Sequence, residues 1–403
     1  MMKWEEKLRA WLMKHVLWFG AAAVLLLGLF LRYTYLPLLV ADVEFLNAPW
    51  FDAIKAGGMA AVLEPSLQYN YSPLHLYLWT LATLLPWDTY TVLKLVSIAM
   101  EMLLCAACVV LLRTLLPKQN KKLGSFVGFT LLWLNPVLLW NAAGWGQADA
   151  SFALFCVLAL WLLLKEKPAW ALAALGVALA WKLQAIFLLP LFMMAYFCGK
   201  KRFSALWFLL VPGILVLSGV PMMLIGESPL FAVQVYLGQT DLYSQITYNY
   251  PNIYALMGEA IGSKTMILGM FSRTGMALCI AALGGMAVWL ITKKVTLQSR
   301  ATVLLGAWCV LCCVFFLPRM HERYGIVGEL LLLCWAVCLW KPRGFVYVLL
   351  GMLPVLSAYA EYMFRHPFFP LQWGAVLNLI LLGLLTWEVL REVRVEALEA
   401  QAL

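Results

Sequence analysis

Charged residues are scarce in this chain of 403 residues. Only 12% are Asp, Glu, Lys or Arg, whereas 64% are hydrophobic; a soluble domain carries about 25% charged residues. A soluble globular protein is therefore excluded, and a polytopic membrane protein is predicted. The net charge of +9 does not indicate a nucleic-acid partner, because the Lys and Arg residues fall in short clusters between apolar segments, as in membrane proteins.

Several catalytic and nucleotide-binding motifs are also missing. The sequence contains no GxxxxGK[ST], GxGxxG with a following acidic residue, HExxH or GxSxG, which excludes the usual ATP-driven pump and zinc protease. All ten cysteines lie in apolar segments, so we expect no disulfide framework. Cys105 and Cys108 have CxxC spacing without a nearby His or acidic residue, and we predict no metal there.

Long apolar segments dominate the chain. A membrane-spanning helix needs about 20 apolar residues, and on that basis the sequence predicts an all-α bundle of about twelve transmembrane helices. Their predicted ranges are 16–39, 89–116, 123–142, 150–165, 169–181, 184–198, 204–225, 266–292, 301–317, 325–340, 344–362 and 371–390. We find no soluble domain, linker or clean repeat, so residues 1–403 are predicted to form one integral-membrane domain.

Basic clusters between these helices predict the orientation. Lys and Arg concentrate in cytoplasmic loops; the clusters are the N-terminus, 118–122, 165–167, 199–202, 293–300, 341–343 and 391–394. They fall on one side, with both chain termini, only if residues 73–86 do not cross the membrane and if 169–198 bends back near Lys182. The outer loops are then 40–88, 143–149, the turn at 182, 226–265, 318–324 and 363–370.

Residues 41–77 interrupt the apolar pattern after the first helix. Five charges in this stretch are too many for the membrane interior, yet Trp50, Phe51 and Ile54 would share one helical face, and Leu74, Tyr77 and Leu78 have the same spacing. Such a pattern is typical of amphipathic helices at a membrane surface. We therefore predict two juxtamembrane helices in the first outer loop.

Asp42, at the start of that loop, is a candidate general base. A carboxylate there could accept the proton of an acceptor hydroxyl, an effect worth about 10²–10⁴-fold in rate. The alternative is a solvated aspartate at a helix end. Glu44 is the fallback, since residues two apart on a helix lie on nearly opposite faces and only one of the pair would point inward.

A second acidic residue ends the sequence GWGQAD at 144–149. Asp149 could cap the next helix, or it could lie across a cavity from Asp42 and orient a sugar. Gly144 and Gly146 would allow close approach of the backbone.

Four basic groups are candidates to bind a phosphate. Lys182 lies between two short apolar helices, where a lysine must find an anion or reach the surface. Arg319, His321 and Arg323 lie in PRMHERYG; if that segment is helical, the two arginines are one turn apart and could hold one phosphate. The alternative is a surface network with Glu322.

Other charges lie inside or at the ends of predicted spans. Arg32 is near the outer end of the first helix, against the charge trend, and is a further phosphate candidate. Lys94 and Glu101 share one face of the second span and are taken as structural, because charges inside membrane helices pair or face the bundle interior.

The order of these motifs resembles the GT-C superfamily of membrane glycosyltransferases. The resemblance covers about residues 30–325 through ADVEFLNAPWFDAIKAGG, YNYSPLHLYL, WGQAD, LAWKLQAIFLLPL, NYPNIYALMG and RMHERYG. The chain is similar to bacterial relatives of the glycosylphosphatidylinositol mannosyltransferases and of the transferases that use dolichyl-phosphate sugars. It lacks a second acidic residue directly beside Asp42, which weakens a metal-dependent version.

The resemblance implies a catalytic acidic residue at Asp42, an acidic partner at Asp149 and a polyprenyl-phosphate-linked donor. It also implies that residues 1–325, with loop 40–88, form the catalytic part and that 326–403 are C-terminal helices. Lys182 matches the lysine of its K-x-Q-A segment, and Arg319, His321 and Arg323 match its H-E-R-Y region. The acceptor or sugar cavity is predicted to include Trp50, Tyr71, Trp145, Gln147, Tyr250 and Asn252.

The prediction is therefore an inverting hexosyltransferase, with mannose as a candidate sugar, that acts without a cofactor on the extracytoplasmic face of a bacterial plasma membrane. Its partners would be the polyprenyl-phosphate sugar, a lipid, glycan or protein acceptor, and membrane lipid. A flippase of lipid-linked sugars and a ligase of lipid-linked glycans are the alternatives. A flippase predicts inverted repeats and charges at the membrane midplane.

Overall fold

The computed structural model describes residues 3–242, 245–260 and 265–401. Residues 243–244 and 261–264 of the predicted outer loop 226–265 lie outside that range. The described chain is 81% helical, as expected for an all-α membrane protein. The α-helices are α1 Lys3–Tyr35, α2 Ala48–Gly57, α3 Pro73–Ala82, α4 Thr89–Leu115, α5 Lys121–Trp133, α6 Pro136–Leu139, α7 Asp149–Leu164, α8 Pro168–Trp181, α9 Leu189–Cys198, α10 Leu210–Gly219, α11 Phe231–Leu242, α12 Thr265–Thr292, α13 Ser299–Phe316, α14 Ile326–Leu339, α15 Pro342–Phe364 and α16 Leu371–Gln401.

Shorter elements connect these helices. In the part of the chain that the structure describes, two segments are π-helical, Val43–Asn47 and Trp140–Trp145, and 3₁₀-helices include Met59–Leu63, Leu183–Leu188 and Val220–Ile225. Two short parallel strands, β1 Thr247–Tyr248 and β2 Met320–His321, join the segment before Tyr250 to the segment before α14.

The number of membrane spans is seven by helix length and hydropathy within the described residues, or eight if a bent pair is one span. Four further apolar helices, Asp149–Leu164, Pro168–Trp181, Leu183–Cys198 and Ile326–Leu339, have 10–17 residues. At 1.5 Å per residue they are shorter than the roughly 30 Å apolar thickness of a bilayer. The predicted total of about twelve therefore stays a prediction.

The predicted span 123–142 is wrong as one straight helix. α5 ends at Trp133, the Asn135 side chain accepts a hydrogen bond from the Val137 N–H at 2.8 Å, and Pro136 starts α6. The two parts meet at 45°. An Asn cap followed by Pro at the first helical position is a strong start signal for a new helix.

The segment between α1 and α4 contains two short helices, α2 and α3. α2 buries Trp50, Phe51 and Ile54 as predicted, whereas α3 buries His75, Leu76 and Trp79 and leaves Leu81 of its predicted apolar face exposed. The indole N–H of Trp50 donates to the Leu67 carbonyl at 2.6 Å, and the Trp50, Phe51 and Trp79 rings pack together. α3 has ten residues, about 15 Å of helix, which is too short to cross a bilayer.

Buried helices hold the centre of the fold. α13 is buried at nearly every position and packs against α14, α16 and α12, while α7 packs between α4 and α8. Three helices of the bundle run between the same two ends of the fold. α7, α14 and α15 each have one end near Asp149, Arg323 or Tyr362, and the other end near a Lys/Arg cluster.

Candidate active site

Asp42 lies at the beginning of the π-helical turn that follows α1. Its Oδ1 accepts a hydrogen bond from the Tyr362 hydroxyl at 2.6 Å, and its Oδ2 accepts from the Trp145 indole and the Gln147 amide at 3.2 Å each. The Asp42 side chain is 28% exposed. It is thus fixed by neutral donors and still reachable from outside the protein.

Lys94 fixes the chain just before Asp42. Its ammonium donates to the carbonyls of Tyr35 and Leu36 at 3.0 and 3.1 Å and also to that of Leu38. Tyr35 ends α1 and Leu36 and Leu38 follow it, so these carbonyls have no partner in the helical hydrogen-bond pattern. The buried ammonium binds all three, and the Tyr35 carbonyl also accepts the Leu38 N–H at 3.1 Å. Glu44, the fallback candidate, is exposed, whereas Asp42 points inward.

Gly146 turns the chain so that Trp145 and Gln147 both reach Asp42. Its φ of +77° lies in the left-handed region, which glycine adopts without steric cost. Lys94 Cγ and Val43 Cγ2 lie 3.4 and 3.7 Å from the position that a Cβ would occupy. These are ordinary contact distances, so the left-handed φ, and not a lack of space, requires glycine here. The close approach expected in GWGQAD occurs at Gly144, where an added Cβ would lie 2.7 Å from Met363 Cε.

Asp149 is fully buried at the start of α7. Its Oδ1 forms an ion pair with Lys182, and its Oδ2 accepts from the Asn141 amide at 2.9 Å and lies 3.5 Å from Arg323 Nε. The structure gives Asp149 no capping hydrogen bond at the start of α7, so its side chain serves this network instead. Burial lowers the pKa of Lys182 more than the Asp149 charge raises it.

Arg323 connects the two aspartates. Its Nη1 donates to Glu322 at 2.9 Å, and its Nη2 lies 4.0 Å from Asp42 Oδ2. The guanidinium carbon lies 4.8 Å from the centre of the Trp145 ring, a cation–π distance. Burial alone would lower the pKa of Arg323, but Glu322, Asp149 and Asp42 together raise it well above its ordinary value.

Glu322 is buried beside that guanidinium. Burial raises the pKa of its carboxyl to about 7, although Arg323 acts in the opposite direction. The carboxyl therefore exchanges its proton near neutral pH. With Glu322 ionised, three carboxylates face two cations, and with Glu322 protonated the acidic and basic charges are equal.

His321 lies beside this network on β2. Its ring stacks on Tyr248 with 4.8 Å between ring centres. Burial and the charges of Arg323 and Lys182 lower its pKa to about 2. The imidazole is neutral at physiological pH, so the only contact that it can offer a phosphate is a neutral hydrogen bond.

Arg319 and Arg323 are not one helical turn apart, as the sequence suggested. The segment 318–325 is not a helix: Arg319 has a left-handed φ of +63°, residues 320–321 form β2, and a turn follows. Pairing of β2 with β1 and the backbone bond from Arg319 to Ile246 hold this extended form. Arg319 is exposed, and the one-turn spacing with Arg323 does not exist.

Arg32 is buried away from these groups, between α1, α4 and α5. Its guanidinium pairs with Glu101, donates to the carbonyls of Gly28 and Trp133, and lies over the Trp133 ring at 3.4 Å. The structure assigns it a packing role, and its predicted phosphate contact is not supported. Glu101 and Lys94 are structural as predicted, each with its own partner.

Three of the six predicted cavity residues lie beside the charged groups, and the other three are buried in contacts of their own. Trp145 and Gln147 contact Asp42, and Tyr71 lines a cavity that also contains Lys182 and Arg323. Trp50 is buried in the segment between α1 and α4. Tyr250 is buried, and Asn252 uses its side-chain oxygen to accept the Tyr254 N–H at 3.1 Å.

Sequence reasoning missed Tyr362, Tyr359 and Asn141. Tyr359 accepts a hydrogen bond from the Asn141 amide at 2.9 Å, and the Tyr362 ring stacks on Trp145 at 4.2 Å between centres. Both tyrosines lie on α15, in the segment that was predicted as C-terminal helices only. Their spacing of three residues on one helix, YAEY, is the single signal that the sequence offered.

Within the part of the chain that the structure describes, no group of three or more His, Cys, Asp or Glu side chains is arranged to hold a metal ion. Asp42 and Asp149 instead share Arg323. The cluster can therefore accept a proton at Asp42 and present cationic groups at Lys182 and Arg323.

Comparison with known proteins gives one family. A family model described as glycosyltransferase family 87 matches residues 69–318. This range contains Trp145, Gln147, Asp149 and Lys182 and ends just before Arg323. No curated protein matches the chain.

Proposed function

Because the chain belongs to glycosyltransferase family 87, a GT-C-type family of membrane glycosyltransferases, we propose that it transfers a hexose from a polyprenyl-phosphate-linked donor to an acceptor hydroxyl. The observation that carries this proposal is the cluster of Asp42, Asp149, Lys182 and Arg323. It combines a reachable carboxylate with cationic groups a few ångströms away.

Asp42 is proposed as the general base. It accepts the proton of the acceptor hydroxyl while the new bond to the sugar's C1 forms and the bond from C1 to the phosphate oxygen breaks. Attack opposite the leaving phosphate inverts the configuration at C1. The three neutral donors around Asp42 hold the carboxylate in place without neutralising its charge.

Lys182 and Arg323 are proposed to stabilise the leaving phosphate. Cationic groups directed at a developing negative charge are worth several kcal/mol in a site that excludes water. Both groups have carboxylate partners in the structure, so the phosphate competes with Glu322 and Asp149 for them. Protonation of Glu322 near pH 7 releases one side of Arg323 for the donor.

The extracytoplasmic face is proposed from the ends of the helices. α7 begins at Asp149 and ends before Lys165, and α15 begins beside Lys341 and Arg343 and ends two residues beyond Tyr362. Lys/Arg clusters favour the cytoplasm, so the opposite ends, with the candidate site, would face outward. The same orientation would place both chain termini in the cytoplasm, and the proposed location is a bacterial plasma membrane.

Lipid, a glycan and protein remain the proposed acceptor classes. The proposed reaction uses no resident metal, because side chains supply both the base and the positive charge. Addition of EDTA to the assay should then leave turnover within about twofold of its starting value, since no divalent ion balances the phosphate charge.

Purified protein in detergent with radiolabelled polyprenyl-phosphate mannose, glucose or galactose tests the proposal. A membrane extract supplies the acceptor. We expect label to move from one donor into product, with inversion at C1, without any sealed compartment. Absence of transfer from every donor, or retention of configuration, would contradict the proposal, and movement of intact donor across vesicles without transfer would indicate a flippase.

A further inference from the structure

A small cavity lies next to the charged cluster. Its walls include Tyr71, His75, Gln184, Lys182 and Arg323, and Asp42 does not line it. Arg323 therefore borders both the cavity and the proposed base. The cavity volume is ≈ 40 Å³, which accommodates a few water-sized groups, such as the hydroxyls along one edge of a sugar.

His75 carries unused hydrogen-bonding capacity into this cavity. The side chain is 4% exposed, and neither ring nitrogen has a hydrogen-bond partner in the described ranges 3–242, 245–260 and 265–401. Gln184 also lines the cavity, and its Oε1 is likewise buried without a hydrogen-bond partner among the described residues. Buried polar atoms normally have partners, so an unpaired set in one cavity calls for an explanation.

Aromatic packing fixes the direction of the His75 ring. The ring centre lies 4.4 Å from Trp79, 4.6 Å from Tyr71 and 6.2 Å from Trp181. The aromatic contacts, and not a hydrogen bond, hold the imidazole in place. Such a ring is preorganised to bind a ligand with both nitrogens.

The chemistry of the ring indicates the ligand class. Burial and the nearby Lys182 charge lower the pKa of His75 to about 3, so the ring is neutral and has one donor and one acceptor nitrogen. A hydroxyl group both donates and accepts and matches this pair. A phosphate only accepts, and it would find better partners in Lys182 and Arg323.

We propose that His75 and the Gln184 amide form a subsite that binds hydroxyl groups of a hexose, beside the place where Lys182 and Arg323 hold the phosphate. The subsite rests on the proposed glycosyltransferase function and assigns to it a determinant of sugar specificity. The same hydroxyl chemistry can come from the transferred sugar or from a sugar acceptor, and the kinetic arms below separate the two.

His75→Phe is the direct test, because it keeps an aromatic ring and removes both nitrogens. We expect kcat/KM to fall about 10–100-fold, as when a buried hydroxyl of the substrate loses its hydrogen-bond partner, on whichever of the three polyprenyl-phosphate hexoses the wild-type protein uses. Thermal stability should stay equal or rise, since two unpaired buried polar atoms are removed. His75→Gln, which restores an amide donor and acceptor, should recover part of the lost activity.

Trp79→Phe is the matched control. It loosens the aromatic packing that holds the ring but keeps both His75 nitrogens, so kcat/KM should fall less than in His75→Phe while stability falls, as core truncation does. A structural role for His75 would show the reverse pattern: His75→Phe would lose stability and activity together, which would overturn the proposal.

Separate KM measurements for the donor and for the acceptor show which of the two sugars occupies the subsite. KM for the donor rises in His75→Phe if the subsite holds the transferred hexose, and KM for the acceptor rises if it holds the acceptor. If the subsite holds the transferred hexose, a donor that lacks the contacted hydroxyl should be a poorer substrate than the full donor for the wild-type protein, and His75→Phe should use the two donors about equally well. Unchanged kcat/KM in His75→Phe, with an active wild-type protein, overturns the subsite alone; absence of wild-type transfer counts against the proposed function.

Discussion

Asp42 differs from Glu44 in what its carboxylate contacts. Asp42 accepts hydrogen bonds from Tyr362, Trp145 and Gln147, whereas Glu44 is exposed. The sequence indicated that only one of the two would point inward, because of their spacing. It could not show the three donors, which come from residues 103 to 320 positions away in the chain.

Glu322 should make donor binding depend on pH. Its pKa is raised to about 7, so the carboxyl is neutral below that pH and ionised above it. The ionised form competes with the donor phosphate for Arg323 and adds a negative charge to the site. KM for the donor should therefore rise about tenfold between pH 6.5 and 8.5, an effect of roughly 1.4 kcal/mol, measured by initial rates against donor concentration.

Glu322→Gln is the corresponding control variant. Its neutral amide resembles the protonated acid at every pH, and the rise in KM should disappear. Stability should depend on the same titration. Between about pH 4.5 and 7 the folded protein binds the Glu322 proton more tightly than the unfolded chain does, so stability falls as the pH rises through that window. A donor KM that rises equally in Glu322→Gln would contradict this role.

At the scale of the helices, most of the fold was readable from hydropathy. The predicted spans 89–116, 150–165, 169–181 and 301–317 lie within two residues of the helices that the structure shows. Long apolar runs bounded by Lys, Asp or Pro leave little ambiguity. The spacing of apolar residues also predicted the short helices α2 and α3, but it identified the buried face correctly only for α2.

Hydropathy could not predict the irregular backbone at the candidate site. The π-helical turns Val43–Asn47 and Trp140–Trp145 and the bend between α5 and α6 depend on tertiary contacts and on single residues such as Pro136. Such π-helical turns often occur at functional sites. Arg319 was misplaced for a related reason, since the strand pairing between residues 247–248 and 320–321 spans too great a sequence distance to be read from a local pattern.

The buried ion pair of Arg32 with Glu101 should hold α1 against α4. Removal of one partner leaves a buried charge, which costs about 3–5 kcal/mol, so Arg32→Met and Glu101→Leu should each lower the amount of folded protein in membranes. The double variant should restore the folded amount and most of the turnover. Size-exclusion profiles and initial rates of the four proteins measure this cycle.

A phosphate-binding Arg32 would give another result. The double variant would then be folded and inactive, with a raised KM for the donor. The structure favours the first outcome, because the Arg32 guanidinium already contacts Glu101, two carbonyls and the Trp133 ring.

At the scale of the whole molecule, the charges separate along the helices. The candidate site lies at one end of α7, α8, α14 and α15, and the basic clusters 165–167, 199–202, 293–300 and 341–343 lie at their other ends or on the loops beside them. Contacts join several of these clusters, for example the Lys201 ammonium with the Glu166 carbonyl at 3.1 Å. Charge asymmetry of this kind sets orientation during insertion.

Cysteine labelling in intact cells should reveal that orientation. Glu44→Cys should react with a membrane-impermeant maleimide added outside, whereas Lys294→Cys should react only after the cells are opened. The native background is low, because nine of the ten cysteines are buried and the tenth is partly buried. Labelling of Lys294→Cys in intact cells, with Glu44→Cys protected, would place the candidate site in the cytoplasm.

Transfer by Asp42→Asn, compared with Glu44→Gln in the same membranes, tests the central claim most directly. Asparagine keeps the shape of Asp42 and cannot accept the acceptor's proton, so turnover of the labelled donor should fall about 10²–10⁴-fold at an unchanged protein level. Glu44→Gln should retain turnover within about twofold, as expected for an exposed surface residue. Wild-type turnover in Asp42→Asn would contradict the account.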